Sequence, residues 1–224
     1  MSRGEDSSAN RSAGVAVEAA RRGRPSVETT RLRQQQLLQV ARGVFAQAGY
    51  RATTMDAIAA AAGMTKRTVY AWHRDKEALF RACVLAGAER FPKLAPEGAG
   101  DESVRATLER YVEDLHRELV KEDSYGLGAL FLREAHEFPE LAEAMQRGHL
   151  DYMIAPLAAY LTRHGLEAEG SIEQAMLFVA MALSPLHNTM LVGMALPDAD
   201  AVRAHARRCV GVFLQGASLP ARQP

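Results

Sequence analysis

Cysteine is scarce in this 224-residue chain: only Cys83 and Cys209 are present, far apart and each within an apolar helical pattern. The two form no CxxC pair and no set of zinc ligands, so the sequence supports neither a zinc site nor dithiol redox chemistry. We expect both to be reduced core residues of a cytoplasmic protein that has no metal and no other cofactor.

A secretory signal is also missing, because the first 25 residues contain no apolar segment of sufficient length. Residues 175–196 carry no formally charged side chain and are long enough, at about 20 residues, to cross a bilayer. The polar residues 184–189 interrupt this segment, and no Lys/Arg cluster flanks it. We therefore expect a helix buried on every side, the second side by another subunit, rather than a membrane span.

Net charge is absent as well, since the formal total is +0, which by itself argues against a nucleic-acid partner. The charges are segregated, however. Residues 1–81 hold 14 Lys and Arg against 7 Asp and Glu, whereas residues 82–224 hold 13 against 20. A basic N-terminal third joined to an acidic remainder favours a DNA-binding head on a body that DNA repels. Chance clustering of surface charge is the alternative.

Helix signals are dense in the basic third. An apolar stripe predicts a first helix over residues 31–47, ending near Gly49. Thr53 is predicted to cap a second helix, Thr65 a third and Asp75 a fourth. The second and third helices, with a glycine at the corner between them, describe a helix-turn-helix.

The third helix begins with the basic and hydroxyl residues Lys66, Arg67 and Thr68, which we expect to contact base edges in a major groove. Thr54, Thr65, Tyr70 and Lys76 are expected to bind phosphates, and Trp72 and His73 to pack or touch the DNA backbone. Core packing is the alternative for Tyr70 and Trp72. Arg22 and Arg24, in a basic arm before the first helix, are expected to enter the minor groove.

The whole chain is predicted to be all-α, with no alternating β pattern and no internal repeat. Pro156 and Pro185 fall inside helical patterns and are expected to kink them. The predicted organisation is an arm at 1–28, a helix-turn-helix domain at 29–75, a connecting helix at 76–91, a linker at 92–101, a helical regulatory and dimerisation domain at 102–216, and a tail at 217–224.

Residues 31–85 resemble the tetracycline-repressor (TetR) family of transcriptional regulators. The similarity is carried by Phe45-Ala46, Gly49-Tyr50, Thr53-Thr54-Met55, Ile58-Ala59, Ala62-Gly63, Thr65 to Tyr70, Lys76-Glu77 and Leu79-Phe80; His73 stands where the family usually has Phe. Residues 133–141 resemble the AefR-like class of regulatory domains. The resemblance implies a homodimer on a palindromic operator, paired through its last two long helices, and a ligand in the C-terminal domain that changes the spacing of the two heads.

The effector site is expected among bulky residues of the C-terminal helices: Tyr111, Leu115, Phe131, Met145, Met153, Phe178, Met181 and His187. Filling the core is the alternative role for each of them. Glu134, His136 and Glu137 suggest a metal site, but a solvated helix edge explains them better because His136 lies on a different face.

The sequence therefore predicts a ligand-responsive, sequence-specific DNA-binding regulator, most simply a repressor with a small apolar effector. A helical protein–protein interaction module that no longer binds DNA is one alternative, and the intact helix start at Thr65 speaks against it. An all-α enzyme is the other, but the chain has no catalytic motif and no glycine-rich phosphate loop.

Overall fold

The computed structural model describes residues 27–94, 103–166 and 171–217, and these residues form helices with no strand among them. Most of the predicted arm, including Arg22 and Arg24, most of the predicted linker, and the tail beyond residue 217 lie outside the described residues. The helices are α1 (Val27–Ala48), α2 (Met55–Ala61), α3 (Lys66–Trp72), α4 (Lys76–Ala88), α5 (Val104–Leu119), α6 (Glu122–Glu134), α7 (Pro139–His149), α8 (Ala155–Arg163), α9 (Ser171–Val192) and α10 (Ala199–Ala217), with a π-helical turn (Leu150–Ile154) joining α7 to α8.

Side-chain caps fix where the short helices begin. The predicted caps at Thr65 and Asp75 are confirmed, because each side chain accepts a hydrogen bond from a backbone N–H of the first turn. The predicted cap at Thr53 is wrong: Thr54 caps α2 by accepting from the Ala57 N–H. The Thr53 side chain is buried instead, and its hydroxyl donates to the Gly49 carbonyl at 2.6 Å.

A first hydrophobic core unites the helix-turn-helix with two helices of the C-terminal part. The aromatic rings of Phe45 and Phe80 meet edge to face with centroids 5.2 Å apart. Leu130 of α6 and Leu141 of α7 are fully buried in the same cluster. At Gly126 of α6 a Cβ atom would lie 2.5 Å from the Cβ of Ala46, so α1 and α6 pack closely only because this residue has no side chain.

A second core lies among α5, α8, α9, α10 and the π-helical turn. Leu115, Met153, Phe178 and Val210 are fully buried in it, and the Phe178 ring contacts that of Phe213 with centroids 4.9 Å apart. The strong amphipathic stripe of α5 supplies much of this core. The chain thus has two packing units, and α6 and α7 belong to the unit that contains the helix-turn-helix.

Pro185 lies inside α9 and has no N–H to offer the Met181 carbonyl one turn earlier. Side chains donate hydrogen bonds to the carbonyls of this turn instead. Ser184 Oγ and His205 Nε2 donate to the Met181 carbonyl at 2.9 and 3.0 Å. His116 Nε2 donates to the Ala182 carbonyl at 2.8 Å. Each imidazole acts as donor because a carbonyl oxygen can only accept. The proline is therefore accommodated within one continuous helix.

Among the described helices, α9 is the one whose length and apolar composition would allow it to cross a membrane. Its inward side, including Phe178, Ala182 and Leu186, is buried in the second core. Its other side exposes Met176 and Leu177. Within this chain α9 is therefore buried on one side only, and burial of its other side by a second subunit stays a prediction.

Unfolding free energy should fall as the pH drops below about 6.5, the ordinary pKa of histidine. Burial lowers the pKa of His116. The hydrogen bond to the Ala182 carbonyl opposes this effect and the nearby His205 adds to it. As the pH falls, the unfolded chain therefore binds a proton at this residue before the folded chain does. His116→Asn should make the fall shallower, by at most about 1.4 kcal/mol per pH unit.

Thermal and urea unfolding across this pH range would check the expectation, with the exposed His136→Asn as control. An identical pH dependence in wild-type protein and His116→Asn would contradict it.

Candidate nucleic-acid interface and effector cavity

The first turn of α3 is exposed on one side. Val69 is fully buried and anchors the helix, whereas Lys66, Arg67 and Tyr70 point away from the core. The Lys66 ammonium forms an ion pair with Asp56 of α2, and Arg67 forms no ion pair or hydrogen bond within the described part of the chain. Arg67 is therefore the cation with the most freedom to meet a base edge, and Lys66 must leave Asp56 before it can do so.

The hydroxyl groups at the helix starts also have local roles. Thr54 and Thr65 cap α2 and α3, and the Thr65 hydroxyl lies 2.9 Å from that of Thr68. Thr54 and Thr65 are both exposed, so both helix starts face solvent, and the helix dipole favours a phosphate there.

Lys76 is more constrained than the sequence suggested. Its Nζ atom donates to the Tyr50 carbonyl at 2.7 Å and lies 4.3 Å from the centre of the Tyr50 ring. Burial lowers its pKa, opposed by Glu140 and Glu134. The Arg51 carbonyl is 3.5 Å away, so at least one of the three ammonium N–H groups remains for a phosphate.

The aromatic residues after α3 separate into two environments. Tyr70 is 48% exposed, which rules out core packing as its role, whereas Trp72 is half-buried against the first core. His73 ends α3, donating its backbone N–H to the Val69 carbonyl, and burial lowers the pKa of its imidazole. Trp72 thus anchors the end of α3 on the first core, and His73 ends the helix next to its exposed side.

A carboxylate from the C-terminal part holds the turn between α1 and α2. Glu134 Oε2 accepts hydrogen bonds from the backbone amides of Tyr50 and Arg51 at 3.0 and 3.2 Å. Gly49 permits this approach, because its φ of +84° suits glycine and a Cβ there would lie 2.6 Å from Glu134 Oε1. The expectation of a solvated helix edge is wrong for Glu134.

The neighbouring contact is exposed: Arg51 forms an ion pair with Glu137 at 2.6 Å and lies over the Phe138 ring, 5.5 Å from its centre.

A cavity of about 110 Å³ lies between the two packing units. Its walls are largely apolar and come mainly from α4, α6, α7 and α9, with Phe91 after α4 and Leu119 at the end of α5. The apolar lining residues are Val84, Ala88, Phe91, Leu119, Leu127, Phe131, Leu132, Met145, Leu183, Leu186 and Met190. Arg42 and Ser124 form a polar end, and His149 and His187 also line it. Burial lowers the pKa of both imidazoles, and for His149 the neighbouring His187 adds to the effect.

Comparison with known proteins matches both parts of the chain. Residues 37–83 match the bacterial regulatory proteins of the tetR family, and residues 106–216 match the C-terminal domain of AefR-like transcriptional repressors. The chain belongs to the TetR family of transcriptional regulators. The TetR family is one of DNA-binding proteins without enzymatic activity.

Solved structures of TetR-family regulators extend the similarity over most of the chain. A TetR-family transcriptional regulator from Mesorhizobium loti MAFF303099 is 27% identical with a TM-score of 0.69, covering 84% of this chain and 97% of that one. The flavonoid-responsive regulator FrrA is 25% identical with a TM-score of 0.61, covering 83% and 96%.

Among curated proteins, the HTH-type transcriptional regulator YfiR of Bacillus subtilis strain 168 is 28% identical over 83 residues. These are 37% of this chain, and the match spans only 40% of that relative.

The structure of this TetR-family protein divides the eight expected effector residues into two groups. Phe131, Met145 and His187 line the cavity. Tyr111, Leu115, Met153 and Phe178 fill the second core, and Met181 packs against it beside a groove between α9 and α10. Sequence reasoning missed the contribution of α4, because a connecting helix gives no sign that it also forms a cavity wall.

Arg67→Ala should relax base preference at one operator position, because the Arg67 guanidinium is free to read a guanine edge. Lys76→Ala should instead weaken binding to all sequences alike, since its ammonium is held at the Tyr50 carbonyl and is expected to meet a phosphate rather than a base edge. In vitro selection of bound duplexes by each variant measures both effects. A uniform loss for Arg67→Ala as well would refute this division of roles.

Proposed function

We propose that this TetR-family protein is a cytoplasmic repressor that binds a palindromic operator as a homodimer and is released by a small, largely apolar effector. The observation that carries the proposal is the exposed first turn of α3, with Lys66, Arg67 and Tyr70 on one side and the buried Val69 on the other. An apolar cavity bounded by α4, the helix that follows α3 directly, supplies a place for the effector.

The dimer is supported by large apolar side chains that are exposed on the surface of α9 and α10. Met176, Leu177 and Leu191 of α9 and Val212 of α10 are each more than half exposed. A shallow groove lined by Ala180, Met181, Ser184 and Val212, among others, lies between the same two helices. Two copies that pair these helices around a two-fold axis would bury this surface and present two α3 helices to successive major grooves.

Release by an effector is supported by the position and size of the cavity. Its volume of about 110 Å³ is of the order of the roughly 150 Å³ apolar cavity known to bind benzene. A larger ligand must displace wall residues such as Val84 of α4 and Phe131 of α6. Because FrrA is described as flavonoid-responsive, an aromatic effector is a reasonable first class to test.

The direct test is selection of bound duplexes from a random pool by the full-length protein, followed by titration of the selected operator with aromatic compounds. Enrichment of an inverted repeat, one dimer per repeat, and dissociation on addition of a compound would support the proposal. A protein that enriches no sequence would refute it.

Leu177→Glu should convert the dimer to monomer and weaken operator binding, because it places a charge in an apolar surface that the partner would cover. Leu150→Glu, an equally drastic change at an exposed leucine of the π-helical turn, is the matched control. Light scattering after size exclusion gives the mass of each variant. A dimeric Leu177→Glu protein would place the interface elsewhere.

Glu134→Gln should lower operator affinity roughly tenfold without changing base preference, because charge-assisted hydrogen bonds to the Tyr50 and Arg51 amides are replaced by weaker neutral ones. Glu137→Gln is the control, since its exposed ion pair with Arg51 contributes little. Fluorescence anisotropy of labelled operator would measure both. Equal affinities for the two variants would show that the turn does not depend on Glu134.

A further inference from the structure

The polar end of the cavity contains a buried arginine with an unused donor. Arg42 is only 4% exposed, and its Nη1 and Nη2 atoms contact Asp123 Oδ2 at 3.1 Å and Ser124 Oγ at 3.2 Å. Its Nε atom is buried and has no hydrogen-bond partner among the described residues. A buried N–H without a partner is costly, which singles out this group as one that a ligand could satisfy.

This arginine belongs to a network of ion pairs. Arg90 contacts the same Asp123 carboxylate and Ser124 hydroxyl at 2.9 and 3.0 Å, and its Nε lies 2.9 Å from Glu118 Oε1. Lys121 forms an ion pair with Glu118 as well. Three cations therefore share two carboxylates. Burial and the neighbouring Arg90 both lower the pKa of Arg42, opposed chiefly by Asp123.

The backbone leaves room for this guanidinium at the cavity wall. Gly87 of α4 lines the cavity, and a Cβ atom at this position would lie 2.8 Å from Arg42 Nη2. Beyond this polar end, the cavity is bounded by Phe131, Leu186 and other apolar side chains. The cavity thus has an apolar body and a cationic end with a free donor.

We propose that the cavity binds small amphipathic anions, with a ring or short chain among the apolar walls and a carboxylate or phenolate accepting a hydrogen bond from the Arg42 guanidinium. This rests on the proposed role of the cavity as the effector site and names the ligand class. A neutral ligand of the same shape fits the walls but offers the guanidinium no charge-assisted hydrogen bond.

Calorimetric titration of the full-length protein with matched pairs tests the preference without any mutation. The carboxylate arm compares 2-naphthoate with its neutral carboxamide, and the phenolate arm compares 4-nitrophenolate with 4-nitroanisole. The anion of at least one pair should bind about tenfold or more tightly than its neutral partner. Equal affinities within both pairs would overturn the proposal and assign Arg42 to packing alone.

Variants locate the preference. Arg42→Gln should abolish it, whereas Arg147→Gln, at an exposed arginine of α7 paired with Asp151, should retain it. Phe131→Ala should weaken the acid and the amide in parallel. If circular dichroism shows that Arg42→Gln is unfolded, Arg90→Gln, at a half-exposed position, should still reduce the preference. A preference that survives both the Arg42 and Arg90 changes would overturn the assignment.

Operator release separates this proposal from the one on which it rests. Anion-selective binding that leaves the selected operator bound would support the anion site and refute the effector role. Release by neutral and anionic compounds alike, with no difference in affinity, would support the effector role and refute the anion site.

Discussion

The packing of α6 and α7 into the helix-turn-helix is the constraint on which the rest of the structure depends. Phe45 and Phe80 form the centre of the head, but Leu130 and Leu141, which enclose the same cluster, come from the C-terminal part. The orientation of α3 therefore follows from contacts made far from it in sequence. Because such interiors are close-packed, a shift of α6 cannot be absorbed by a fluid core and must either be resisted or passed on to the head.

Helix α6 makes three kinds of contact along its length. Leu127 and Leu130 belong to the head core, Phe131 lines the cavity, and Glu134 holds the turn between α1 and α2. Phe131 and Glu134 are separated by about 4.5 Å along the helix axis, less than one turn. A displacement at the cavity wall is thus applied almost directly to the carboxylate that positions the head. Val84 of α4 similarly lies both in the head core and at the cavity.

Local signals in the sequence predicted much of this architecture, and tertiary contacts account for what they missed. Thr65 and Asp75 cap their helices because the capping pattern is contained within four residues. Thr53 and Thr54 have the same capping chemistry, so local sequence does not tell which of them caps α2. The Thr53 hydroxyl donates to the buried Gly49 carbonyl, and Thr54 is left as the cap. Glu134 and Arg42 were missed because their partners lie more than 80 residues away. Phe131 and Phe178 have equivalent helical patterns, yet one lines the cavity and the other fills a core.

The proposed release by an effector is energetically attainable. Shifting a two-state equilibrium from 1:99 to 99:1 needs a ligand preference of about 5.5 kcal/mol for one state. In the proposed dimer two cavities share this cost, so each ligand supplies about 2.7 kcal/mol, which corresponds to roughly 100 Å² of additional apolar surface buried in the released form. A ligand that is too large for the closed cavity exposes part of its surface there and can bury it only when the walls move apart. Because α4 and α6 belong to those walls and also enclose the head core, a movement that accommodates the ligand would, under the proposed function, also reorient α3.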